Sequence, residues 1–429
     1  MLRYLILSIT ASCLLLSAAA GNKAKSRTCP ATETLNPLDF GADNSGQNDC
    51  SDAFSRLFDA VGDATHADIF IPAGKYRFDR RVVFSPASFA GYDANSGLTI
   101  RGAGQDVTEM ICNNDDGVLF LNPGGNRLTV TVCDMSFVAL NDRQGTAVEF
   151  DTGGRNPGDV HTRMLQLRNL LIRGESPVKG FFRNGVLIHN AWYPFLDNVQ
   201  LTGSYGIDAS RKMDTGFLFH NCYSPLMSNC YFWGSAEYGV RYVGEGFEPE
   251  DGIVKDSYLV GQDHSIYVHL ATAPVWAEPA FHISNCHMHY VRTGVYLEGV
   301  RQFFIQGNLM YCNNFTGSRW WETQGRTGEA HRPYECRDIH LKYATDGVIS
   351  NNQFTEPATP LRYAIDIEPE SGNILVQGNI FNFDGTGIRN ASTQPTRCIG
   401  NVFGGKPDFS VAFTPYLDKT GSLRKIDFE

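Results

Sequence analysis

GVLIHN (185–190), GFLFHN (216–221), GVRYVG (239–244), SIYVHL (265–270), GVYLEG (294–299), DIHLKY (338–343) and AIDIEP (364–369) are seven versions of one short alternating segment. Each is followed by a second: LDNVQL, MSNCYF, VKDSYL, ISNCHM, IQGNLM, ISNNQF and VQGNIF. The first apolar residues of the second segments are Leu196, Met227, Val254, Ile283, Ile305, Ile349 and Val376, spaced 31, 27, 29, 22, 44 and 27 residues apart. Strand pairs repeating at that interval, without helical heptads, specify a solenoid of parallel strands. The 44-residue step is a coil carrying an inserted loop, 312–337. A sandwich would need hairpins with Asn-Gly or Asp-Gly turns, and these are scarce. The predicted fold is all-β, a single-stranded parallel β-helix. Its right hand follows from the general preference of crossovers.

Alternation assigns the faces, because successive strand residues point to opposite sides. Val186, Phe217, Val240, Ile266, Val295, Ile339 and Ile365 form one inward column, and Ile188, Phe219, Tyr242, Val268, Leu297, Leu341 and Ile367 the next. In the second segments, Cys230, Ser257, Cys286, Asn308, Asn352 and Asn379 are expected to point inward. Small polar residues at one level of a tube satisfy each other's hydrogen bonds.

Composition and termini add bounds. The 429 residues carry 36 Lys+Arg against 46 Asp+Glu, a net charge of −10, with 42% hydrophobic and 12% aromatic residues. That is an ordered chain whose acidic balance argues against a nucleic-acid partner, while a local cluster of Arg and Lys still permits an anionic substrate. MLRYLILSITASCLLLSAAAG reads as a secretory leader over 1–20, with a mature domain over 21–429. Its apolar run is shorter than a membrane span, so no membrane association is expected after cleavage. The expected location is extracellular or periplasmic, where the ten cysteines left after loss of Cys13 are free to pair. Cys230 and Cys286 read as core filler, and pairings are left open. Sequons stand at Asn314 and Asn390.

NPLDFGADNSGQNDCSDAFSRLFDAVG (36–62) predicts a short strand, a turn and an amphipathic helix near Ser51–Ala60 with Ser51 as N-cap. ADIFIPAGKYRF (67–78) predicts two strands about a Pro-x-Gly turn, and GLTIRGAG (97–104) the first full coil. Residues 36–84 would cap the solenoid, 97–404 form its coils, and 405–429 a tail. The Asp-Phe-Gly-Ala and Pro-x-Gly-x-Tyr pattern resembles the opening signature of the pectate lyase superfamily, shared by polygalacturonase-like, rhamnogalacturonase-like and tailspike-like β-helices. That resemblance implies a β-helix. It is weak for chemistry, since that superfamily hosts hydrolases, lyases, epimerases and adhesins. Its tailspike-like members include trimers, so monomer and homotrimer both stay open.

One outward stripe stands at the turn before each first segment: Asp214, Glu237, Asp263-His264 and Arg292. Gly261-Gln262-Asp263-His264 is similar to the Gly-Asp-Asp segment of polygalacturonase-like enzymes, with Glu237 in the place of the preceding acid. Gln262 replaces the first Asp, and neither Gly-His-Gly nor Arg-Ile-Lys follows. Adjacent coils would put Glu237 and Asp263 about 5 Å apart at Cα, and Asp214 and Asp263 about 10 Å. Carboxylates so stacked would raise one another's pKa and suit glycosidic cleavage. The expected catalytic residues are Asp263 and Glu237 as acid/base pair and Asp214 as auxiliary. His264, Arg292, His289, Tyr311, His269, Glu298 and Trp233 are the expected substrate contacts.

A second stripe is the outward side of the first segments: His189, His220, His269, Glu298, Lys342 and Glu368, with Arg241, Tyr267, Tyr296, His340 and Asp366 beside it. Tyr231, Trp233, Tyr258, His287, His289 and Tyr311 face outward from the second segments, and the Trp320-Trp321-Glu322 loop tip would overhang. Aromatics near carboxylates stack and bind sugars.

The expected function is hydrolysis of an extracellular, acidic, pectin-like polysaccharide without cofactor. The alternatives are a polysaccharide lyase, for which Arg292, Lys342, His289 and Tyr311 could serve and Ca²⁺ could assist, and a non-catalytic carbohydrate-binding or surface β-helix. Plain counterparts of both stripes are solvated turn residues and an ordinary exposed sheet face.

Overall fold

The computed structural model describes residues 34–61, 66–85, 96–123, 128–153, 164–177, 179–203, 212–245, 251–270, 280–312, 335–355, 362–383, 385–404 and 414–417. The expected leader, Asn314, the Trp320-Trp321-Glu322 tip and most of the expected tail lie outside the described residues.

The chain winds through three parallel sheets. Sheet A includes Phe181–His189, Met213–His220, Tyr231–Val243, Tyr258–His269, His287–Glu298, Cys336–Lys342, Arg362–Ile367 and Thr386–Asn390. Sheet B includes Leu226–Ser228, Gly252–Lys255, Phe281–Ser284, Phe303–Gln306, Thr345–Ser350 and Gly372–Gln377. Sheet C takes the first residues of Tyr231–Val243, Tyr258–His269 and His287–Glu298, then Leu309–Cys312, Gln353–Thr355 and Ile380–Asn382.

Register follows the alternation. Val186 pairs with Phe217, and the column runs on through Val240, Ile266, Val295, Ile339 and Ile365. The Ile188 to Ile367 column keeps the same register, and both columns are buried. Identical spacing in every coil is what lets these side chains stack into one continuous core.

Each expected second segment after LDNVQL, which stays within the one strand Phe195–Thr202, is two strands. A left-handed residue bends it at Asn198, Asn229, Asp256, Asn285, Gly307, Asn351 and Gly378, with φ between +51° and +67°. Only Gly, Asn and Asp adopt that conformation at low cost. The bend also aims the following residue inward. Cys230, Ser257, Cys286, Asn308, Asn352 and Asn379 are all buried there, joined by Asn401. The asparagines form a ladder. The Asn308 Nδ2 donates to Asn352 Oδ1 (2.9 Å) and Ile283 O (3.0 Å), Asn352 Nδ2 to Asn379 Oδ1 (3.0 Å), and Asn379 Nδ2 to Asn401 Oδ1 (2.9 Å). Cys230 and Cys286 are buried free thiols, as expected of core filler.

Asn352→Ala removes the acceptor for both the backbone N–H and the Nδ2 of Asn308, and the donor to Ile305 O. Unfolding stability should fall by about 2–3 kcal/mol, the cost of orphaning buried polar groups. Urea denaturation of the variant measures it. A loss below about 1 kcal/mol would mean that the ladder merely fills space.

The helix Ser51–Val61 closes the first coils, with Phe54 edge-on to Tyr76 and Phe78, and Phe58 against Phe84. Ser51 is its first residue and not its cap: the hydroxyl donates to Asp49 Oδ1 and the main chain of the helix begins beneath it. The inserted loop is fastened at its base by a disulfide between Cys312 and Cys336, one cysteine on each flanking strand. Two residues beyond Cys336, Asp338 forms an ion pair with Arg362 of the next coil, wholly inside the core.

Candidate functional site at the corner between sheets C and A

Tyr231–Val243, Tyr258–His269 and His287–Glu298 each pass from sheet C to sheet A without a loop. The corner is turned by bulges, and the register shifts at Trp233/Ala236, Val260/Gln262 and Gln262/His264. Gly234 (φ +140°) and Gly261 (φ +106°) sit at these bulges. A bulge re-aims the residues that follow it. Here it turns Gln262 fully inward, where its Nε2 donates to Val260 O (2.9 Å) and Gly234 O (3.1 Å). Gln262 is therefore a core residue, and the likeness of Gly-Gln-Asp-His to a paired-Asp segment ends at that position.

Beyond the bulge, Tyr238 pairs with His264 and His264 with Thr293, so Glu237, Asp263 and Arg292, each one residue earlier, share a level. Asp214 precedes Thr215, which pairs with Tyr238. The expected stripe is aligned. Cations stand against two of its carboxylates, Asp263 and Asp214. Lys212 Nζ lies 2.7 Å from Asp263 Oδ2, and Arg292 Nε 3.7 Å from the same oxygen. Arg143 Nη2 is 2.8 Å from Asp214 Oδ1 and also donates to the carbonyl of Lys212. Asp263 is buried, and Glu237 is exposed. Lys212 and Arg143 escaped the sequence reading because each lies in a coil other than that of the carboxylate it meets.

His264 lies among these charges, stacked on Tyr238 (centroids 5.4 Å, 20°) and edge-on to Tyr267 (5.7 Å). Burial pushes its pKa down to about 4, opposed by Asp263 and Glu237 and aided by Arg292 and Lys212. Its Nδ1 has no hydrogen-bond partner among the described residues. The Tyr238 hydroxyl is pushed up to about 12, chiefly by burial and next by Glu237. The Arg241 guanidinium covers the Tyr238 ring at 4.8 Å. The corner thus gathers a neutral imidazole, two phenols and four cations around three carboxylates.

Further along sheet A, Glu298 accepts from Lys342 Nζ (2.8 Å) and the Tyr296 hydroxyl (2.7 Å), and lies 2.6 Å from His269 Nδ1. Burial pushes its carboxyl up, but these three bonds outweigh it and hold the group below its ordinary value. Tyr267 stacks on Tyr296 at 4.6 Å, joining this network to the corner. On sheet C, Trp233 is exposed beside Tyr231, while His289 stacks on Tyr311 at 4.4 Å. Trp233, His289 and Tyr311 therefore form a separate aromatic face, on the other side of the corner. Cys312, Cys336 and Asp338 come together, but the sulfurs are joined and Asp338 pairs with Arg362, so they offer no metal site.

The histidines make stability depend on pH. His264 and His289 are both pushed to about 4 by burial, against 6.5 in the unfolded chain. Between those values the unfolded state binds protons that the folded state refuses, so stability is whole above about 6.5 and falls as pH drops toward 4. Urea midpoints at pH 7.5, 6.0 and 5.0 should decline in that order, and His289→Gln should flatten the decline. A constant midpoint would contradict the buried, neutral state of these rings.

The region 268–414 matches the family model described as a right handed beta helix region. None of the curated proteins compared matches the chain. Among solved structures, the A-module of the mannuronan C-5 epimerase AlgE4 of Azotobacter vinelandii is similar, at 17% identity and TM-score 0.57 over 89% of this chain and 98% of that one. The Streptococcus pneumoniae surface protein and adhesin PfbA is similar at 14% identity and TM-score 0.52, over 90% of this chain and 100% of that one. An N-terminal fragment of the bacteriophage Phi29 gene product 12 is similar at 12% identity and TM-score 0.50, over 90% and 72%. Parallel pairing of every sheet strand, the matched region and these solved structures agree that the chain is a right-handed parallel β-helix.

Proposed function

We propose that the corner binds an acidic polysaccharide and removes the proton α to a uronate carboxylate, the chemistry of a lyase or C5 epimerase. One observation carries this reading: His264, partly buried and neutral, sits against Tyr238 beside Lys212 and Arg292. Abstraction at C5 needs a neutral base and cations that stabilise the charge spreading onto the carboxylate. Arg292 is exposed and only 3.7 Å from Asp263, within reach of a substrate carboxylate. His264 would take the proton, and the electrons would pass to the carboxylate held by Lys212 and Arg292. They would then expel the C4 oxygen, which leaves as a hydroxyl by taking a proton from a phenol, or return to a proton delivered at C5 from the opposite face by a phenol.

A hydrolase needs a carboxylic acid in apolar or like-charged surroundings. Asp263 and Asp214 instead face cations, and Glu237 faces solvent. The similar AlgE4 module belongs to a mannuronan C-5 epimerase, which accords with proton abstraction. PfbA is a surface adhesin, and the exposed aromatics of sheet C would suit a binder equally. The Cys312–Cys336 bond supports an oxidising, extracytoplasmic setting.

The test incubates the protein with alginate, pectate and neutral glucans in deuterated water, following ultraviolet absorbance of unsaturated uronate, reducing ends and deuterium at C5. Absorbance, or deuterium without cleavage, is expected on a uronate polymer only. Reducing ends with neither signal would make the protein a hydrolase. Binding without any change would make it an adhesin-like binder.

A further inference from the structure

The outward column of sheet A that ends in the Glu298 network begins, at its other end, with a different set of side chains. Asp151 pairs in register with His189, and His189 with His220. Three ligand-type side chains thus rise one above another on successive coils, on strands held rigid by the parallel ladder. Val243 follows His220 in that register and separates this set from His269 and Glu298 with an apolar side chain.

The two rings meet through like atoms. His189 Nδ1 lies 3.1 Å from His220 Nδ1, with the ring planes at 80°. Two nitrogens each about 2.05 Å from a common ion would subtend an angle of about 98° at that separation, and an opening of only about 0.2–0.3 Å gives a tetrahedral angle. His220 Nε2 is 3.7 Å from Glu245 Oε2, close enough for a small shift of the exposed Glu245 chain to make the carboxylate–imidazole contact that orients a metal-binding ring. The Asp151 carboxylate accepts at Oδ1 from Gly153 N (2.8 Å) and Asn190 Nδ2 (2.9 Å), and reaches the imidazoles only by turning.

We propose that His189 and His220 bind a divalent transition metal of the zinc class, chelated through their facing Nδ1 atoms, with Asp151 turning its carboxylate in as third ligand. Two imidazoles and a carboxylate suit Zn²⁺ over Ca²⁺ or Mg²⁺, which prefer all-oxygen cages. The ion takes the place of the Nδ1···Nδ1 contact, each ring then carrying its N–H at Nε2, and it ties three coils together beside the corner.

Calorimetric titration of the whole protein with zinc chloride tests this. One Zn²⁺ per chain is expected, with Kd of about 10 μM or tighter. His220→Gln, which keeps size and a polar contact to His189, should weaken binding at least about 30-fold, and Asp151→Asn by about 10-fold or more. His289→Gln removes one ring of the other close histidine pair, His287 and His289, and should leave zinc binding unchanged. Thermal unfolding without metal verifies that each variant folds, and a zinc-dependent rise in the unfolding temperature of the unaltered protein reads the site without any substitution. Zinc binding unaffected by His220→Gln, or no binding up to about 100 μM metal, would overturn the proposal.

Discussion

Replacing His264 by glutamine is expected to lower turnover on the responsive uronate polymer by about 10²–10⁴-fold, the usual worth of a positioned general base. The corresponding barrier increase is about 2.7–5.5 kcal/mol. Glutamine keeps the ring's approximate volume against Tyr238 and Tyr267 but accepts no proton. The loss should therefore fall on kcat, with the unfolding midpoint little changed. Lys212→Ala and Arg292→Ala should behave differently, raising KM as well as lowering kcat, because both cations would touch the substrate carboxylate before and during the step. Retention of more than about a tenth of the activity by His264→Gln would place the base elsewhere, with Tyr238 next in line.

Asp338→Ala is expected to destabilise the fold by about 3–5 kcal/mol, which is close to the whole stability of many domains. Both partners are fully buried. Arg362 reaches Asp338 with Nε at 3.0 and 3.1 Å and Nη2 at 2.6 Å, donates through Nη1 to Thr355 O at 3.1 Å, and lies 4.0 Å over the Phe383 ring. Removing the carboxylate leaves a guanidinium in the core with no counter-ion. Removing both charges, in Asp338→Ala/Arg362→Met, should recover most of the loss, since a hydrophobic replacement avoids the desolvation of two ions. Denaturant titration of the single and double variants completes the cycle. Equal loss in single and double variants would mean that packing of the long Arg362 chain, and not its charge, is what the coil requires.

Much of the coil was legible because a β-helix repeats its physics. Val186 and Ile188 head columns that could be extended by counting residues, since alternation has period two and every coil stacks on the last. The asparagine ladder was visible for the same reason. The three-sheet cross-section was hidden inside segments such as MSNCYF, and its signal was the Asn, Asp or Gly that precedes each inward polar residue. Ser51 was misplaced by one position, because a Ser side chain that meets Asp49 across the turn looks, in sequence, like one that caps the helix.

The corner was only half legible. Asp214, Glu237, Asp263 and Arg292 share a level by coil spacing alone. Lys212 and Arg143 reach that level from other coils, and a long flexible side chain crossing between coils leaves no periodic trace. The inward turn of Gln262 depends on a bulge at Gly261, which breaks the alternation on which sequence reasoning rests. Winding, core columns and outward stripes could thus be read from residue order, because those follow from local alternation repeated in register. Which charges meet emerged from the folded chain, since ion pairing across coils depends on side-chain reach, bulge geometry and burial, and none of these is periodic.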